Sequence, residues 1–170
     1  SFFVGILTLC CSVQVSGADL KLYAKSAVLM EAESGEILYG RSEKKKMPNA
    51  STTKIMTCLY ILEHCDLEEK AKVSKNAASQ PQVRLGVREG ESYKVKDLLY
   101  GLMVESYNDC AVVLAEHAEG SVEKFESKIN AEAKKLGAKS THFVSPNGLD
   151  ASDKGGSHRT TAYDLALMMR

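Results

Sequence analysis

The segment Ser51-Thr52-Thr53-Lys54 places a hydroxyl and an amine at a spacing that suits acyl-transfer chemistry. The segment opens an apolar, helix-like run. On a helix, residues three positions apart lie on the same face one turn from each other, so the Lys54 amine can reach the Ser51 hydroxyl. The backbone N–H groups and dipole at such a helix start also favour a developing oxyanion.

A second polar cluster, Ser106-Tyr107-Asn108, follows about fifty residues later between two apolar runs. A short polar break of this kind presents side chains into a cleft. The same S-x-N pattern occurs at Ser74, in a polar stretch, and at Ser145, in a Pro-Asn-Gly turn. We therefore combine the 106–108 cluster with Ser51 and predict an acyl-transfer site with a serine nucleophile.

Two other S-x-x-K matches lack this context. Ser42 and Lys45 belong to a charged, solvated connection, where no packed surface could hold the two side chains together. Ser121 precedes an amphipathic segment and is better interpreted as an N-cap. Helix capping would also be the plainest interpretation of Ser51, Ser106 and Asn108, with Lys54 as a solvated lysine, if each were taken alone.

The elements that must position these residues follow from the apolar pattern. A β-hairpin is predicted over residues 27–30 and 37–39, with Gly35 supplying the turn. Little regular structure is expected over residues 73–88. Helices are predicted over 51–64, 98–104, 111–118 and 121–136, the last with Gly137 as its C-terminal cap, and from Thr160 or Thr161 to the last residue.

Composition narrows the function classes. The 170 residues suit one domain, and 44% apolar residues are enough for a core. The 22 basic and 22 acidic residues balance to a formal charge of zero, which argues against nucleic acid as a partner. The histidines show no spacing that would make a metal triad, so no metal is expected. The methionines are interpreted as core or surface residues rather than as a cofactor site, and no cofactor is expected.

The first eighteen residues are uncharged, residues 2–11 are nearly all apolar, and Ser16-Gly17-Ala18 offers a small-residue cleavage site. We interpret residues 1–18 as a partial export signal and residues 19–170 as the amino-terminal part of a catalytic domain. A starting Met is absent and the hairpin lacks partner strands, so truncation at both ends is expected.

Four segments resemble the serine-type D-alanyl-D-alanine carboxypeptidases, which are low-molecular-mass penicillin-binding proteins related to β-lactamases. The resemblance extends over residues 27–170. The matching segments are Ala50-Ser51-Thr52-Thr53-Lys54-Ile55-Met56-Thr57, Ser106-Tyr107-Asn108-Asp109, residues 143–150 with Pro146-Asn147-Gly148-Leu149-Asp150, and residues 158–166 with Thr160-Thr161-Ala162-Tyr163-Asp164-Leu165-Ala166.

The resemblance implies an α+β fold in which a helical cluster packs against an antiparallel sheet, with the carboxyl-terminal strands missing from this chain. It implies removal of the terminal D-alanine from peptidoglycan stem pentapeptides through a serine acyl-enzyme, and covalent binding of β-lactams. The implied roles are Ser51 as nucleophile, Lys54 as general base, Ser106 as proton relay, and Asn108 as a substrate ligand that also holds Lys54.

The resemblance also implies an exported protein at the extracytoplasmic face of the membrane, in the wall or periplasm, with possible membrane association through a missing carboxyl-terminal segment. The family's third motif, Lys-Thr-Gly, does not occur in residues 1–170. The fragment alone is therefore expected to be inactive.

Two alternatives remain. A class A β-lactamase shares the fold and the first motif, but its deacylating Glu has only a superficial counterpart in Glu126, which lies within the helix that follows Ser121. A penicillin-binding sensor or silent peptidoglycan-binding module is the alternative outside the enzymes. Rapid β-lactam hydrolysis would favour the former, and a stable acyl-enzyme without peptide turnover would favour the latter.

Overall fold

The computed structural model describes residues 21–170, and the export signal predicted over residues 1–18 lies outside them. The elements in chain order are β1 Ala27–Met30, β2 Ile37–Arg41, a 3-10 turn Ala50–Thr52, α1 Thr53–His64, β3 Lys70–Lys72, α2 Lys75–Ala78, β4 Ser92–Lys94, α3 Val95–Val104, α4 Asn108–Glu119, α5 Val122–Lys135, β5 Ser152–Asp153, β6 Gly156–Ser157 and α6 Ala162–Met169.

The helical cluster is built around α4. Its residues 108–115 are all buried, and Val113 and Leu114 have no exposed surface. Helices α1, α3 and α5 pack around it. Phe125 and Ile129, one turn apart on α5, complete the apolar centre, as the predicted stripe on that helix requires. The polar break at 106–108 therefore leads directly into the most buried helix of this cluster.

The predicted hairpin is confirmed. Strands β1 and β2 pair antiparallel, with Leu29 opposite Tyr39, and Gly35 adopts a φ of +76° in the connecting turn. The hairpin packs against α6. The small sheets β3–β4 and β5–β6 are also antiparallel. Together these elements confirm the predicted α+β class.

Three predicted helix termini are confirmed. The Ser121 hydroxyl accepts from the Lys124 backbone N–H, and the Thr161 hydroxyl accepts from that of Asp164, so both side chains cap the helices they precede. Gly137 follows α5 with a φ of +90°, a conformation that glycine adopts without a Cβ clash. Ser121 is thereby excluded as a nucleophile candidate.

The expectation of little structure over residues 73–88 is wrong for α2, a single helical turn capped by Ser74. Strands β3 and β4 flank this region and were also not predicted. Each has only three residues, with Ala71 opposite Tyr93, and three residues are too few for their polar–apolar alternation to stand out as a strand signal.

Between residues 21 and 170, no helix combines the length and the apolar character that crossing a bilayer requires.

Candidate active site

Ser51 lies in the 3-10 turn that leads into α1, not in the helix itself. The helix begins at Thr53, and Ser51 is exposed. Neither Asn49 nor Thr52, which precede the turn and the helix, makes a side-chain capping bond. The Ser51 hydroxyl instead accepts a hydrogen bond from Lys54 Nζ at 3.1 Å. The capping interpretation of Ser51 is therefore wrong.

The Lys54 amine is enclosed by three oxygen atoms. They are Ser51 Oγ at 3.1 Å, Asn108 Oδ1 at 3.0 Å and the main-chain oxygen of Asn147 at 2.8 Å. Only 2% of the Lys54 surface is exposed, so the solvated-lysine interpretation is also wrong. The helical spacing of Ser51 and Lys54 brings hydroxyl and amine into contact, as predicted.

Burial lowers the pKa of Lys54 to about 8, below its ordinary value near 10.5. The physical cause is loss of hydration, which disfavours the ammonium form. The three oxygens around the amine belong to a hydroxyl, a side-chain amide and a peptide, and none carries a full negative charge. The site therefore solvates an amine that can lose its proton near neutral pH.

Ser106 lies in the predicted polar break between α3 and α4, and Asn108 is the first residue of α4. Ser106 is half-buried and adopts a φ of +60°, a left-handed conformation that is strained for any residue except glycine. Tyr107, the N-cap of α4, makes no side-chain capping bond, and the Asn108 side chain reaches Lys54 instead. Capping therefore explains neither Ser106 nor Asn108.

Asn108 also connects the site to the loop that precedes β4. Its Nδ2 donates to the carbonyls of Pro81 and Gln82, at 3.2 and 3.1 Å, and its backbone N–H donates to Val83 O at 2.7 Å. These bonds fix the orientation of the amide, because Nδ2 can only donate. Oδ1 is thus the atom that faces Lys54.

Asp109 anchors the next part of the same loop. Its buried carboxylate accepts from the backbone N–H groups of Leu85, Gly86 and Val87, at 3.0, 2.7 and 3.3 Å. Charge-assisted bonds to backbone N–H groups are strong. The segment Ser106–Asp109 consequently positions the Asn108 amide at Lys54 and anchors the loop at residues 81–87.

The sequence did not single out Asn147 as part of the site, because its contribution to Lys54 is a main-chain oxygen. Its side chain is nearly enclosed, donates to Gln80 Oε1 at 3.0 Å and accepts from the Leu149 N–H. The Pro146-Asn147-Gly148 turn was predicted, but its contact with Lys54 was not. A main-chain contact such as the one with Lys54 leaves no signal in the identity of the residue.

Gly148 explains how this turn comes so close to Ser51. It has a φ of +87°, and a Cβ at this position would lie 1.9 Å from Ala50 O and 3.0 Å from Ser51 N. Ala50 itself has a φ of +42°. The 145–148 turn therefore packs directly on the peptide that carries the nucleophile candidate.

The remaining candidates lie apart from this cluster. Ser42 and Lys45 are both exposed. Glu126 lies on α5, where burial, followed by the charges of Glu123 and Asp153, raises its pKa to about 7. Within residues 21–170, no group of three or more His, Cys, Asp or Glu side chains is placed to hold a metal ion.

A family model and two curated relatives match most of this chain. The peptidase family S11, described as D-alanyl-D-alanine carboxypeptidase, matches residues 12–170. The D-alanyl-D-alanine carboxypeptidase DacF of Bacillus subtilis is 39% identical over 158 residues, which are 90% of this chain and 40% of that protein. DacB2 of Mycobacterium tuberculosis is 38% identical over 86% of this chain and 50% of its own length. The chain thus spans about half or less of these two relatives.

Solved structures show the same architecture. Penicillin-binding protein D2 of Listeria monocytogenes, in its cefotaxime-bound form, superposes with a TM-score of 0.77 at 34% identity, over 90% of this chain and 63% of that one. A D-alanyl-D-alanine carboxypeptidase from Mycobacterium tuberculosis H37Rv superposes with a TM-score of 0.79 at 35% identity, over 86% of this chain and 54% of that one.

Proposed function

This chain belongs to the D-alanyl-D-alanine carboxypeptidase family of serine peptidases, and we propose that the whole protein removes the terminal D-alanine from peptidoglycan stem pentapeptides through an acyl-enzyme on Ser51. One observation carries the proposal: the buried Lys54 amine contacts the Ser51 hydroxyl and two neutral oxygens from distant segments. This is the arrangement that a lysine base needs in order to activate a serine.

The hydrogen-bond count around Lys54 suits both of its protonation states. As an ammonium it donates one hydrogen to each of its three oxygen partners. As a neutral amine it has two hydrogens, which satisfy Asn108 and Asn147, and one lone pair, which then faces the Ser51 hydroxyl. The amine can therefore accept the serine proton without losing its other two bonds.

The pKa of about 8 makes this neutral form accessible. At pH 7 about a tenth of the molecules would hold Lys54 as a free amine. A base with a pKa near the working pH combines a useful neutral population with enough driving force to take a proton. Burial of Lys54 thus supports its role as general base.

In the proposed reaction, Ser51 Oγ attacks the carbonyl carbon of the penultimate D-alanine while Lys54 takes the hydroxyl proton. A proton returns to the leaving nitrogen through Ser106, the peptide bond breaks, and D-alanine departs. Water then hydrolyses the ester to regenerate Ser51. Asn108 would hydrogen-bond the substrate amide in addition to holding Lys54.

β-Lactams would acylate Ser51 by the same chemistry and leave slowly. The solved structure of the Listeria penicillin-binding protein D2 in its cefotaxime-bound form supports β-lactam binding at this fold. The substrate implies an extracytoplasmic location, with residues 1–18 as export signal and residues 19–170 as the amino-terminal part of the catalytic domain. Association with the membrane through a segment outside residues 1–170 is part of the same proposal.

The test is covalent labelling of the whole protein with a fluorescent penicillin, together with D-alanine release from a stem pentapeptide. We expect Ser51→Ala to abolish both signals. Labelling that persists in Ser51→Ala would contradict the proposal. A stable label without D-alanine release would favour a penicillin-binding sensor, and rapid β-lactam hydrolysis would favour a β-lactamase. For residues 1–170 alone, which contain no Lys-Thr-Gly, we expect no turnover.

A further inference from the structure

Thr53 lies between the turn that carries Ser51 and the base candidate Lys54, yet its side chain points away from both into a buried network. Its Oγ1 contacts Asn49 Nδ2 at 2.6 Å, His158 Nε2 at 2.7 Å and Ala50 O at 2.9 Å. Thr53 is fully buried, and His158 is only 2% exposed. His158 comes from a segment 105 residues later in the chain, so this contact is a tertiary constraint.

The direction of each hydrogen bond in this network follows from its donors. The backbone N–H of Val144 donates to His158 Nδ1 at 2.9 Å, so Nδ1 is unprotonated and the ring hydrogen resides on Nε2. Nε2 therefore donates to Thr53 Oγ1. With His158 and Asn49 both donating, the single hydroxyl hydrogen of Thr53 is directed to Ala50 O.

The acceptor at the end of this chain of bonds is the carbonyl of a strained residue. Ala50 has a φ of +42°, which a residue with a Cβ adopts only when its surroundings enforce it. On one side the Ala50 carbonyl accepts the Thr53 hydroxyl, and on the other Gly148 is packed against it so closely that no Cβ would fit. The next residue after this clamped carbonyl is Ser51.

We propose that His158 and Thr53 are positioning residues that hold the Ala50–Ser51 peptide in its strained conformation and so direct the Ser51 hydroxyl toward Lys54. Neither side chain touches the reacting atoms, and the inference rests on the proposed function of Ser51. The Lys54–Ser51 bond of 3.1 Å is long enough that a small rotation of this peptide would break it.

A positioning role makes a different prediction from a structural one. Misplacement of a nucleophile by a fraction of an ångström slows the chemical step and leaves substrate binding intact. The relevant quantities are thus the dissociation constant of the initial penicillin complex and the first-order acylation rate constant, measured separately by stopped-flow labelling of the whole protein.

The first pair of variants is Thr53→Val and Thr53→Ser. Valine has a similar shape but cannot donate to Ala50 O, whereas serine retains the hydroxyl. We expect Thr53→Val to slow acylation by roughly 10- to 100-fold at an unchanged dissociation constant, and Thr53→Ser to remain within about threefold of wild type. Tyr60→Phe is the matched control, because it removes a buried hydroxyl bond, to Glu119, from the same helix without involving this network.

The second pair is His158→Gln and His158→Phe. Glutamine can supply an N–H to Thr53, so it should retain much of the acylation rate that phenylalanine loses. Equal acylation rates for wild type, Thr53→Val and His158→Phe would overturn the inference while Ser51 labelling stands. A wild-type protein that no penicillin labels would overturn the proposed function, and this inference with it.

Discussion

The amine of Lys54 lies 2.8 Å from the main-chain oxygen of Asn147, 93 residues further along the chain. This bond brings the turn at residues 145–148 to the helix that starts beside Ser51. It gives Lys54 a neutral partner that no side-chain substitution can delete. The base candidate is therefore held in place by the fold as well as by Asn108.

Acylation of Ser51 is expected to depend on pH through Lys54. Its pKa is lowered to about 8, so the neutral amine is the minor form below that pH. The fraction of neutral amine, and the acylation rate with it, should rise about tenfold from pH 6 to pH 7 and level off above pH 8. Initial rates of penicillin labelling in a buffer series measure this. A rate that stays constant from pH 6 to pH 9 would show that Lys54 does not titrate in the reaction.

Asn108→Asp should shift this pH profile upward. A carboxylate would replace the amide, whose oxygen lies 3.0 Å from Lys54 Nζ, and a nearby negative charge favours the ammonium form. The change also removes the Nδ2 bonds to Pro81 and Gln82, which lowers stability but does not produce a shift of the pH profile. We expect the pKa of Lys54 to rise by about 1–3 units and labelling at pH 7 to slow by roughly 10- to 1000-fold, with partial recovery at higher pH. Ser127→Asp adds the same charge at an exposed position of α5 and is the control. An unshifted profile in Asn108→Asp would argue against the contact.

Ser106→Gly is expected to stabilise the folded protein and to slow its reaction. The φ of +60° at Ser106 is strained for a residue with a Cβ, and relief of a left-handed conformation is worth about 1 kcal/mol. The same change removes the hydroxyl of the proposed proton relay, so D-alanine release should fall by at least about 100-fold.

Denaturant unfolding and D-alanine release measure these two effects of Ser106→Gly. Ser42→Gly is its matched control, because Ser42 is exposed and has a φ of +48°. It should gain stability without any change in rate. Full activity in Ser106→Gly would remove Ser106 from the mechanism.

Gly148→Ala should disrupt the site by displacing the turn that packs against the Ala50–Ser51 peptide. A Cβ at this residue would lie 1.9 Å from Ala50 O, so the turn or the Ser51 peptide has to move. We expect a loss of about 1–3 kcal/mol in unfolding free energy and much slower labelling. Gly120→Ala is the comparison variant, because Gly120 has a φ of +79° but nothing within 4 Å of its added Cβ. If the two variants labelled equally fast, the close packing at Gly148 would be irrelevant to Ser51.

The residues of the site differ in how far the sequence could predict them. Ser51 and Lys54 were predictable because helical spacing is a local property, and the Ser106–Asn108 break was visible because polar residues interrupt two apolar runs. The carbonyl of Asn147 and the bond from His158 to Thr53 depend on chain segments 93 and 105 residues away. Contacts at that separation are set by tertiary packing and leave no trace in local spacing.

The same distinction applies to the fold. The long helices and the Gly35 hairpin follow from apolar periodicity and from a turn glycine with positive φ. Ser51 and Thr52 were expected to be helical but belong to the 3-10 turn Ala50–Thr52, because the sequence does not show that Gly148 packs against this turn. The β3–β4 pair was missed because each strand has only three residues, too few for an alternating pattern to be recognised.

The most direct test of this account is to locate the penicillin adduct and compare the rate at which it forms in Lys54→Ala. Peptide mapping by mass spectrometry of the labelled whole protein should place the adduct on Ser51 alone. Lys54→Ala should keep the circular dichroism spectrum of a folded protein and form that adduct at least about 100-fold more slowly. An adduct on any other residue, or an unchanged rate in folded Lys54→Ala, would contradict the claim that this amine activates this serine.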